Sequence, residues 1–501
     1  MSSILLTTLN ARYIHSSLGL RYLMANMGRL KQDTQLLEYN INSRPIDIVE
    51  DLLSHKPEII GFGVYIWNVE ACTQVIQLLK TVAPEVTVVI GGPEVSYEYD
   101  DQAIVQAADY LITGQADKAF AELCENILKR RPILQTIIHP LPFDLNEIEF
   151  PYQYYTHEDI AHRIIYVEAS RGCPFKCEFC LSALDKTVYP FKLHAFLEQM
   201  QQLYDRGVRH FKFVDRTFNL KVDSSIRIME FFLQRMDDQL FLHFELIPDH
   251  LPERLKSVIA QFPQHSLQFE IGIQSLNSQV QQLISRKQNT EKTRQNLEWI
   301  TSNSHAHIHA DLIIGLPGED IHSFAHGLNQ LYAMNPHEIQ VGILKRLKGT
   351  PIIRHTQDCD IRYNPLPPFN ILSNGLIDFP TMQRLSRFAR YWDMIINSGR
   401  FKYSKHLILG DTPFEHFLTI SDWLYEQTGQ THKISLSRLI NLVYQALTEC
   451  FNLDIAMVRE YLMQDFQASG LKGQAGFVKE QKKLNKQTEQ RSVVRQKRHI
   501  S

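Results

Sequence analysis

The ten residues RGCPFKCEFC, from Arg171 to Cys180, place three cysteines within eight positions of a chain that has 501 residues and seven cysteines in all. Cys173, Cys177 and Cys180 have the spacing C-x3-C-x2-C and follow directly on RIIYVEAS, a segment that predicts a β-strand. A short loop lets three thiolates converge on one inorganic centre, and soft thiolates select zinc or iron–sulfur centres. A structural zinc site needs four protein ligands, and no nearby pattern supplies the fourth. The motif therefore favours a [4Fe–4S] cluster with one iron open for chemistry.

The composition is that of an ordinary globular protein. Hydrophobic residues make up 44% and charged residues 21%, with a formal net charge of -3, so no whole-surface attraction to nucleic acid or membrane is expected. No apolar run is long enough to span a bilayer. The start MSSILLTTLNARYIHSS lacks a basic segment before its apolar run, so we expect a cytoplasmic location. Seven cysteines are an odd number, and the other four are scattered singly, which is a poor disulfide framework.

The apolar pattern predicts an α/β protein with two sheets. Alternating strand and helix signals over residues 1–130 indicate a parallel, Rossmann-like (flavodoxin-like) sheet, and loops at the carboxyl ends of such strands bind ligands. Residues 131–162 are predicted to be a linker. Residues 163–368 contain six strand segments that suit a partial or complete parallel barrel. Residues 369–471 carry helical patterns and are predicted to form a helical C-terminal domain.

The last segment, residues 472–501, carries nine Lys or Arg against two Glu and few large apolar residues. This composition predicts a disordered, solvated tail, and nucleic-acid binding is expected only through this basic segment.

With its cysteine spacing, the preceding strand and Phe179 before the last cysteine, the chain resembles the radical S-adenosylmethionine superfamily. The resemblance implies that the open iron chelates S-adenosylmethionine, which one electron cleaves to methionine and a 5′-deoxyadenosyl radical. It also implies a reductase-type electron donor. The cofactors would carry the chemistry, and the protein would orient them and exclude water.

Further segments extend the resemblance to the S-adenosylmethionine site. In LQFEIGIQS, alternation puts Glu270 and Gln274 on one face of a strand, as in the fourth strand of many family members. In HIHADLIIGLPGED, Asp311 ends a polar face like that of the family's fifth strand. The family's glycine-glycine-glutamate motif is replaced by FVDRTFN. This departure leaves Asp215 as the predicted contact to S-adenosylmethionine, with Arg216, Thr217 and Asn219 as further candidates.

The first 130 residues resemble the cobalamin-binding domain that precedes the barrel in one subgroup of this superfamily. The resemblance rests on the loop ARYIHSSLGLRYL, on GGPEVS after the fourth strand and on the turn after the fifth. The chain lacks the D-x-H-x-x-G motif that supplies a histidine to cobalt, and GQAD replaces the subgroup's acidic turn. A Rossmann-like domain retained for packing or partner binding is the alternative. The resemblance predicts a cobalamin site that contains His15, Gly19, Gly91, Gly92, Pro93 and Gly114.

Three functional hypotheses follow, and the sequence does not identify the substrate. The leading hypothesis is cobalamin-dependent methyl transfer to an unactivated carbon of a small-molecule or unknown substrate. The second keeps radical chemistry but not methylation, through rearrangement, ring closure or sulfur insertion on a substrate such as RNA. The third is a non-catalytic metal-binding protein.

Overall fold

The computed structural model describes residues 3–185 and 187–471. The chain divides into two compact units, Met1–Met382 and Gln383–Ser501. The predicted basic tail, 472–501, lies outside the described residues.

The first unit opens with a six-stranded parallel sheet in the order β2-β1-β3-β4-β5-β6. The core strand β1 is buried along its whole length, as a parallel strand covered on both faces requires. The prediction of a parallel Rossmann-like sheet is confirmed. Its strands β1 to β6 are Ile4–Asn10, Thr34–Asn40, Ile59–Gly63, Thr87–Gly91, Tyr110–Ile112 and Ile137–Ile138, and its helices α1 to α5 are Leu18–Ala25, Pro45–Ser54, Val69–Val82, Ala103–Ala107 and Ala119–Leu128.

Residues 131–162, predicted to be a linker, contribute more structure than expected. Ile137 and Ile138 form β6, which pairs with β5 and completes the first sheet. Helix α6, His157–His162, begins at a capping box in which the Thr156 side chain accepts from the Asp159 amide. The Asp159 carboxylate also pairs with the buried Arg21 of α1 at 2.8 Å. This segment is therefore fastened to the first sheet.

The second sheet of the first unit is a partial barrel. Six parallel strands lie in sequence order, β14-β13-β12-β11-β10-β7, which confirms the prediction of a parallel barrel-type sheet. The short strands β8, Ser170–Arg171, and β9, Tyr189–Pro190, form an antiparallel pair that brackets the cysteine loop. The strands β7 and β10 to β14 are Ile165–Val167, His210–Phe213, Phe241–Leu246, Leu267–Gln274, His307–Ile314 and Glu338–Ile343, and the helices α7 to α12 are Leu193–Asp205, Val222–Leu233, Glu253–Ile259, Ser278–Leu283, Thr290–Asn303 and Ile321–Ala333.

Strand β12 shows why the barrel interior is polar. Its residues alternate between buried and half-buried along all eight positions. Phe269, Ile271 and Ile273 are fully buried on one face, so Glu270 and Gln274 point to the other face, the barrel interior.

The end of the chain that the structure describes is helical, as predicted, although Ile371–Ser373 first form strand β16 against β15, Arg362–Tyr363. The core of the second unit contains the buried side chains of Phe388, Trp392 and Phe417. Among the described residues, no helix combines the length and apolar character that crossing a membrane requires. The helices α13 to α17 are Phe379–Trp392, Lys405–Leu409, Pro413–Thr428, Leu436–Cys450 and Ile455–Ala468, and a π-helical turn spans Asp393–Asn397.

Candidate functional site: two adjoining cavities

The cysteine loop, residues 172–185, faces a cavity at the carboxyl end of the barrel. Cys173 and Cys177 are buried, Cys180 is half-buried, and all three line the same cavity of about 880 Å3. The loop begins at Gly172, whose φ is +87° and where a Cβ would lie 1.9 Å from the Thr187 carbonyl oxygen. Any larger residue there would displace the loop, so glycine is required.

The side chains of the three cysteines face the same cavity. In residues 3–185 and 187–471, no set of three His, Cys, Asp or Glu side chains is arranged to hold one metal ion. The three thiols line one common cavity, which leaves room for an iron–sulfur cluster. Burial raises the pKa of the Cys177 thiol, and the nearby Arg286 guanidinium opposes that rise.

The same cavity brings together most of the side chains predicted to contact S-adenosylmethionine. Phe179, Glu270, Gln274 and Asp311 all line it, together with residues from four strand ends and the cysteine loop. The full lining is Cys173, Phe175, Cys177, Phe179, Cys180, Ala183, Arg216, Thr217, Glu245, Leu246, Ile247, Asp249, Glu270, Gly272, Gln274, Arg286, Lys287, Gln288 and Asp311.

Glu270 is held as a carboxylate by its neighbours. Its Oε2 lies 3.0 Å from His243 Nε2 and 3.5 Å from Lys212 Nζ. The His243 hydrogen bond, with further help from the Lys212 charge, lowers the pKa of Glu270 to about 2 despite burial. Gln274 ends the strand with φ +70°, where the pairing of β12 with β13 shifts. A non-glycine residue in this region costs about 1–3 kcal/mol, a strain typical of functional sites.

Asp311 is half-buried, and one oxygen of its carboxyl is buried without a hydrogen bond. Its Oδ1 has no hydrogen bond, and His309 Nε2 lies 3.8 Å away. Burial, with the negative charges of Glu270 and Glu245, raises the pKa of Asp311 to about 8. An unsatisfied oxygen aimed at a cavity is a group that a bound ligand would satisfy.

Asp311 therefore makes stability depend on pH. Because its pKa in the folded protein is raised from 3.8 to about 8, folding takes up a proton between these values, and stability falls as pH rises through that window. We expect Asp311→Asn to raise the free energy of unfolding of the cofactor-free protein at pH 8.5 by about 1–3 kcal/mol, the range for a buried polar group without its partner, and by much less at pH 4.

Denaturant unfolding at both pH values measures this difference. The exposed Asp223→Asn serves as the control and should show no such pH dependence. An equal effect of Asp311→Asn at the two pH values would show that the carboxyl is ionised throughout.

Asp215 is not brought into this cavity. Its carboxylate is buried behind the cysteine loop, where it accepts from the Ala169 amide at 2.9 Å and from Ser170 Oγ at 2.6 Å. Its neighbours Arg216 and Thr217 line the cavity instead, and Thr217 Oγ1 lies 3.8 Å from Cys173 Sγ. The placement therefore does not support a direct contact of Asp215 with S-adenosylmethionine.

Asn219, the remaining candidate in this segment, also uses its side chain for hydrogen bonds to the protein backbone. Its Nδ2 donates to the carbonyl oxygens of Ile247 and His250, and its Oδ1 accepts from the Ile247 amide. Asn219 thus joins the loops that follow β10 and β11.

Two site residues escaped sequence reasoning. Arg286 lies 3.5 Å from Cys177 Sγ through Nη1 and donates to the Gly272 carbonyl through Nη2. Glu178, inside the cysteine motif, is buried and accepts from Ser285 and Arg354, and its Oε2 lies 2.8 Å from His355 Nε2. These partners lie far away along the chain, so no local pattern reveals them.

A second cavity, of about 870 Å3, opens at the carboxyl edge of the first sheet. Four predicted cobalamin-site glycines, Gly19, Gly91, Gly92 and Gly114, line it. Gly92 has φ +115°, and a Cβ there would lie 2.4 Å from the Val64 carbonyl oxygen. The remaining lining residues are Leu20, Leu23, Gly61, Phe62, Gly63, Tyr65, Val89, Ile90, Ile112, Gln115, Ala116, Asp117, Phe120 and Arg171.

His15 and Pro93 do not line this second cavity. The His15 ring instead turns toward the barrel, with Nδ1 2.7 Å from the Tyr166 hydroxyl of β7. Burial, together with the charge of Lys212, lowers the pKa of His15. The structure thus places His15 at the contact between the two sheets, apart from the predicted cobalamin site.

Arg171 links the two cavities. Its guanidinium lines the second cavity, where it pairs with Asp117 at 3.0 Å and stacks on the Tyr22 ring. Its Nε donates to Glu168 at 2.8 Å. Cys173, only two residues later, lines the first cavity. The linings of the two cavities therefore come within two residues of each other at the start of the cysteine loop.

Comparison with protein families divides the chain into three matched segments. Residues 4–124 match the B12 binding domain, and residues 167–331 match the Radical SAM superfamily. Residues 357–501 match a protein of unknown function family, DUF4080.

Individual relatives are distant. An uncharacterised methyltransferase of Pyrococcus horikoshii is 26% identical over 246 residues, which cover 42% of this chain and 52% of that protein. The cobalamin-dependent radical SAM methyltransferase TokK of Streptomyces tokunonensis is 22% identical over 330 residues, or 58% of this chain and 47% of that protein. The chain thus spans about half the length of the curated relatives it matches.

Solved structures show the same fold at low sequence identity. The cobalamin-dependent S-adenosylmethionine radical enzyme OxsB, solved with aqua-cobalamin and S-adenosylmethionine, gives a TM-score of 0.64 at 13% identity and covers 93% of this chain and 80% of its own. A second match is the radical S-adenosylmethionine methyltransferase TsrM of Kitasatospora setae, solved with cobalamin and a [4Fe-4S] cluster. It gives a TM-score of 0.61 at 13% identity, and the match covers 94% of this chain and 100% of that chain.

Proposed function

Because the chain belongs to the radical S-adenosylmethionine superfamily and carries a domain of the B12-binding family before its barrel, we propose that it is a cobalamin-dependent methyltransferase. It acts on an unactivated carbon of a small-molecule substrate. The observation that carries the proposal is that a three-thiol cavity and a glycine-lined cavity have lining residues only two positions apart, Cys173 for the first and Arg171 for the second.

The first cavity fits a [4Fe–4S] cluster and S-adenosylmethionine. Cys173, Cys177 and Cys180 hold the cluster. An external donor of the reductase type supplies the electron that reduces it. When bound, these cofactors supply a carbon-centred radical, and cobalamin supplies a carrier for the methyl group.

The side chains around the cluster bind and orient S-adenosylmethionine. Arg216, Arg286 and Lys287 are the cations among the lining residues and suit its carboxylate. Glu270, held ionised by His243, offers a carboxylate acceptor, and the buried Oδ1 of Asp311 offers an unsatisfied oxygen. The aromatic ring of Phe179 also lines this cavity.

The second cavity fits cobalamin. Its glycines leave a broad, side-chain-free edge of the sheet for a flat ring, and Gly92 cannot be replaced without moving the backbone. No histidine is among its lining residues in the described part of the chain. Pro93 and His15 are not proposed to contact the ring.

Methyl transfer is tested by following both products of S-adenosylmethionine. We expect the anaerobically reconstituted, reduced protein to form S-adenosylhomocysteine only when cobalamin is present, because transfer of a methyl group from S-adenosylmethionine leaves this product. Mass spectrometry measures S-adenosylhomocysteine, and methyl-deuterated S-adenosylmethionine marks the methyl group that is transferred to the acceptor.

5′-Deoxyadenosine formation in the same samples is the control for an active cluster. A protein that forms 5′-deoxyadenosine with its substrate but never S-adenosylhomocysteine would contradict methyl transfer and favour a non-methylating radical reaction.

A further inference from the structure

One short segment, residues 346–355, touches both proposed cofactor loops, and we refer to it as the strap. It follows β14, the last strand of the barrel, and ends in a 3-10 helix, Pro351–His355. Its first half packs on residues 91–98 of the first sheet, and its second half packs on the cysteine loop.

The first half of the strap is fastened by two acidic side chains of the 91–98 loop. Glu94 is buried, and its Oε1 lies 3.0 Å from Lys348 Nζ. Glu98 pairs with Arg346 and accepts from the Gly349 amide at 2.9 Å. Each acid meets a base, so the two surfaces are complementary in charge.

Shape also fixes this contact. Gly349 has φ +80°, and a Cβ there would lie 2.4 Å from Tyr97 Cγ. Tyr97 thus occupies the space that any other residue at 349 would need. The strap and the 91–98 loop fit closely, with charge pairs on both sides of the tyrosine.

The 91–98 loop in turn belongs to the proposed cobalamin site. Ser96 Oγ donates to the Gly92 carbonyl at 2.8 Å and accepts from the Gly114 amide at 3.1 Å. Gly92 and Gly114 both line the second cavity. A ligand that fixes these glycines also fixes the loop that holds the strap.

The second half of the strap contacts the cysteine loop at Glu178 through a hydrogen bond and two ion pairs. The Ile352 amide donates to the Glu178 carbonyl at 3.0 Å. His355 Nε2 lies 2.8 Å from Glu178 Oε2, and Arg354 pairs with the other carboxylate oxygen. Glu178 sits between Cys177 and Cys180, so its position bears directly on two of the three thiols.

The strap between these ends is held by buried side chains and backbone hydrogen bonds. Thr350 is buried, and its amide donates to the Leu347 carbonyl at 3.2 Å. The Ile352 side chain is fully buried. At its start, the Arg346 amide donates to the Phe369 carbonyl at 2.9 Å. A segment anchored along its length transmits a displacement rather than absorbing it.

We infer that the strap positions the cysteine loop in response to the occupancy of the second cavity, through Glu94 and Glu98 at one end and Glu178 at the other. The inference rests on the proposed function, since it takes cobalamin and the cluster as the two ligands. Glu178, Arg354 and His355 are positioning residues, because they reach the cluster only through the cysteine loop.

The coupling predicts a reciprocal effect on binding. A full-length protein loaded with its cluster should bind hydroxocobalamin at least about 5-fold more tightly than the same protein stripped of iron, the lower end of typical coupling between sites. In the double variant Glu98→Gln and Arg354→Met this ratio should fall to about 1. Glu98→Gln and Arg354→Met alone should give intermediate ratios.

Anaerobic titration followed by visible spectroscopy measures the hydroxocobalamin affinity of the wild type and of the double variant, each with and without its cluster. Arg209→Met, which removes a partly exposed ion pair with Asp237 elsewhere in the barrel, is the matched control and should keep the wild-type ratio. The electron paramagnetic resonance spectrum of the reduced cluster should shift on cobalamin addition in the wild type and in Arg209→Met but not in the double variant. A merely structural role of the strap would not produce this spectroscopic difference.

A wild-type ratio of 1, or a ratio that survives in the double variant, would overturn the inference. So would a ratio lost in Arg171→Gln but retained in the double variant, since Arg171 would then carry the coupling. Failure of the wild type to bind cobalamin at all would overturn the cobalamin assignment as well, so the two failures are distinguishable.

Discussion

Replacing Cys177 with serine is expected to abolish reductive cleavage of S-adenosylmethionine. The thiol is buried, lines the first cavity with Cys173 and Cys180, and is proposed as one of only three protein ligands of the cluster. Serine keeps the size of the side chain but not the soft sulfur ligand that iron–sulfur clusters require. Changes in the outer shell of a metal site already cost about 10–100-fold, so losing a ligand should lower 5′-deoxyadenosine formation by more than about 100-fold.

Iron and sulfide content and 5′-deoxyadenosine formation measure this loss. Cys450→Ser is the matched control, because Cys450 is a half-buried thiol of the second unit and is not among the lining residues of either cavity. Wild-type iron content and cleavage in the Cys177→Ser protein would exclude this loop as the cluster site.

Filling the second cavity from Gly19 is expected to block cobalamin binding. Gly19 lies in α1 and lines the cavity, and a Cβ there would meet only the Tyr65 hydroxyl, at an ordinary 3.4 Å. Gly19→Phe can therefore project a ring into the cavity without backbone strain, and replacing glycine in a helix costs no propensity. Overpacking costs about 1–3 kcal/mol, so we expect cobalamin affinity to fall about 5- to 150-fold.

Gly19→Ala is the control, because its methyl group leaves the cavity open. It should bind cobalamin as the wild type does. Circular dichroism of both variants checks that the fold is kept. Unchanged cobalamin affinity in a folded Gly19→Phe protein would show that cobalamin does not occupy this cavity.

The cysteine loop and the polar strand faces were predictable because they are local patterns. The spacing of the three cysteines indicates an iron–sulfur cluster without any tertiary information. In β12, strict alternation assigns Glu270 and Gln274 to the barrel interior. Strand β6 was missed because two residues are too few to show a period.

Asp215 illustrates a local pattern that was available but not used. Phe211 and Phe213 are fully buried against the helices, so alternation continued past the strand end puts Asp215 on their side and Arg216 on the side of the barrel interior. The structure follows this alternation, with Arg216 on the cavity and Asp215 behind the loop.

Contacts between distant segments could not be predicted from one sequence. Arg286 reaches Cys177 across 109 residues, and His355 reaches Glu178 across 177. His15 lies in the loop ARYIHSSLGLRYL, which resembles a cobalamin contact, yet its ring lies against the Tyr166 hydroxyl of the second sheet. Such placements depend on how the two sheets pack against each other. The hydrophobic periodicity of the sequence predicts the strands but not this packing.

The central claim is that this chain holds an iron–sulfur cluster and cobalamin at adjoining cavities. Anaerobic titration of hydroxocobalamin into the cluster-reconstituted protein, followed by visible spectroscopy, tests it most directly. We predict binding of about one equivalent, as one cavity requires, with a change in the visible spectrum of the added hydroxocobalamin. An intact cluster with no bound cobalamin would contradict the claim.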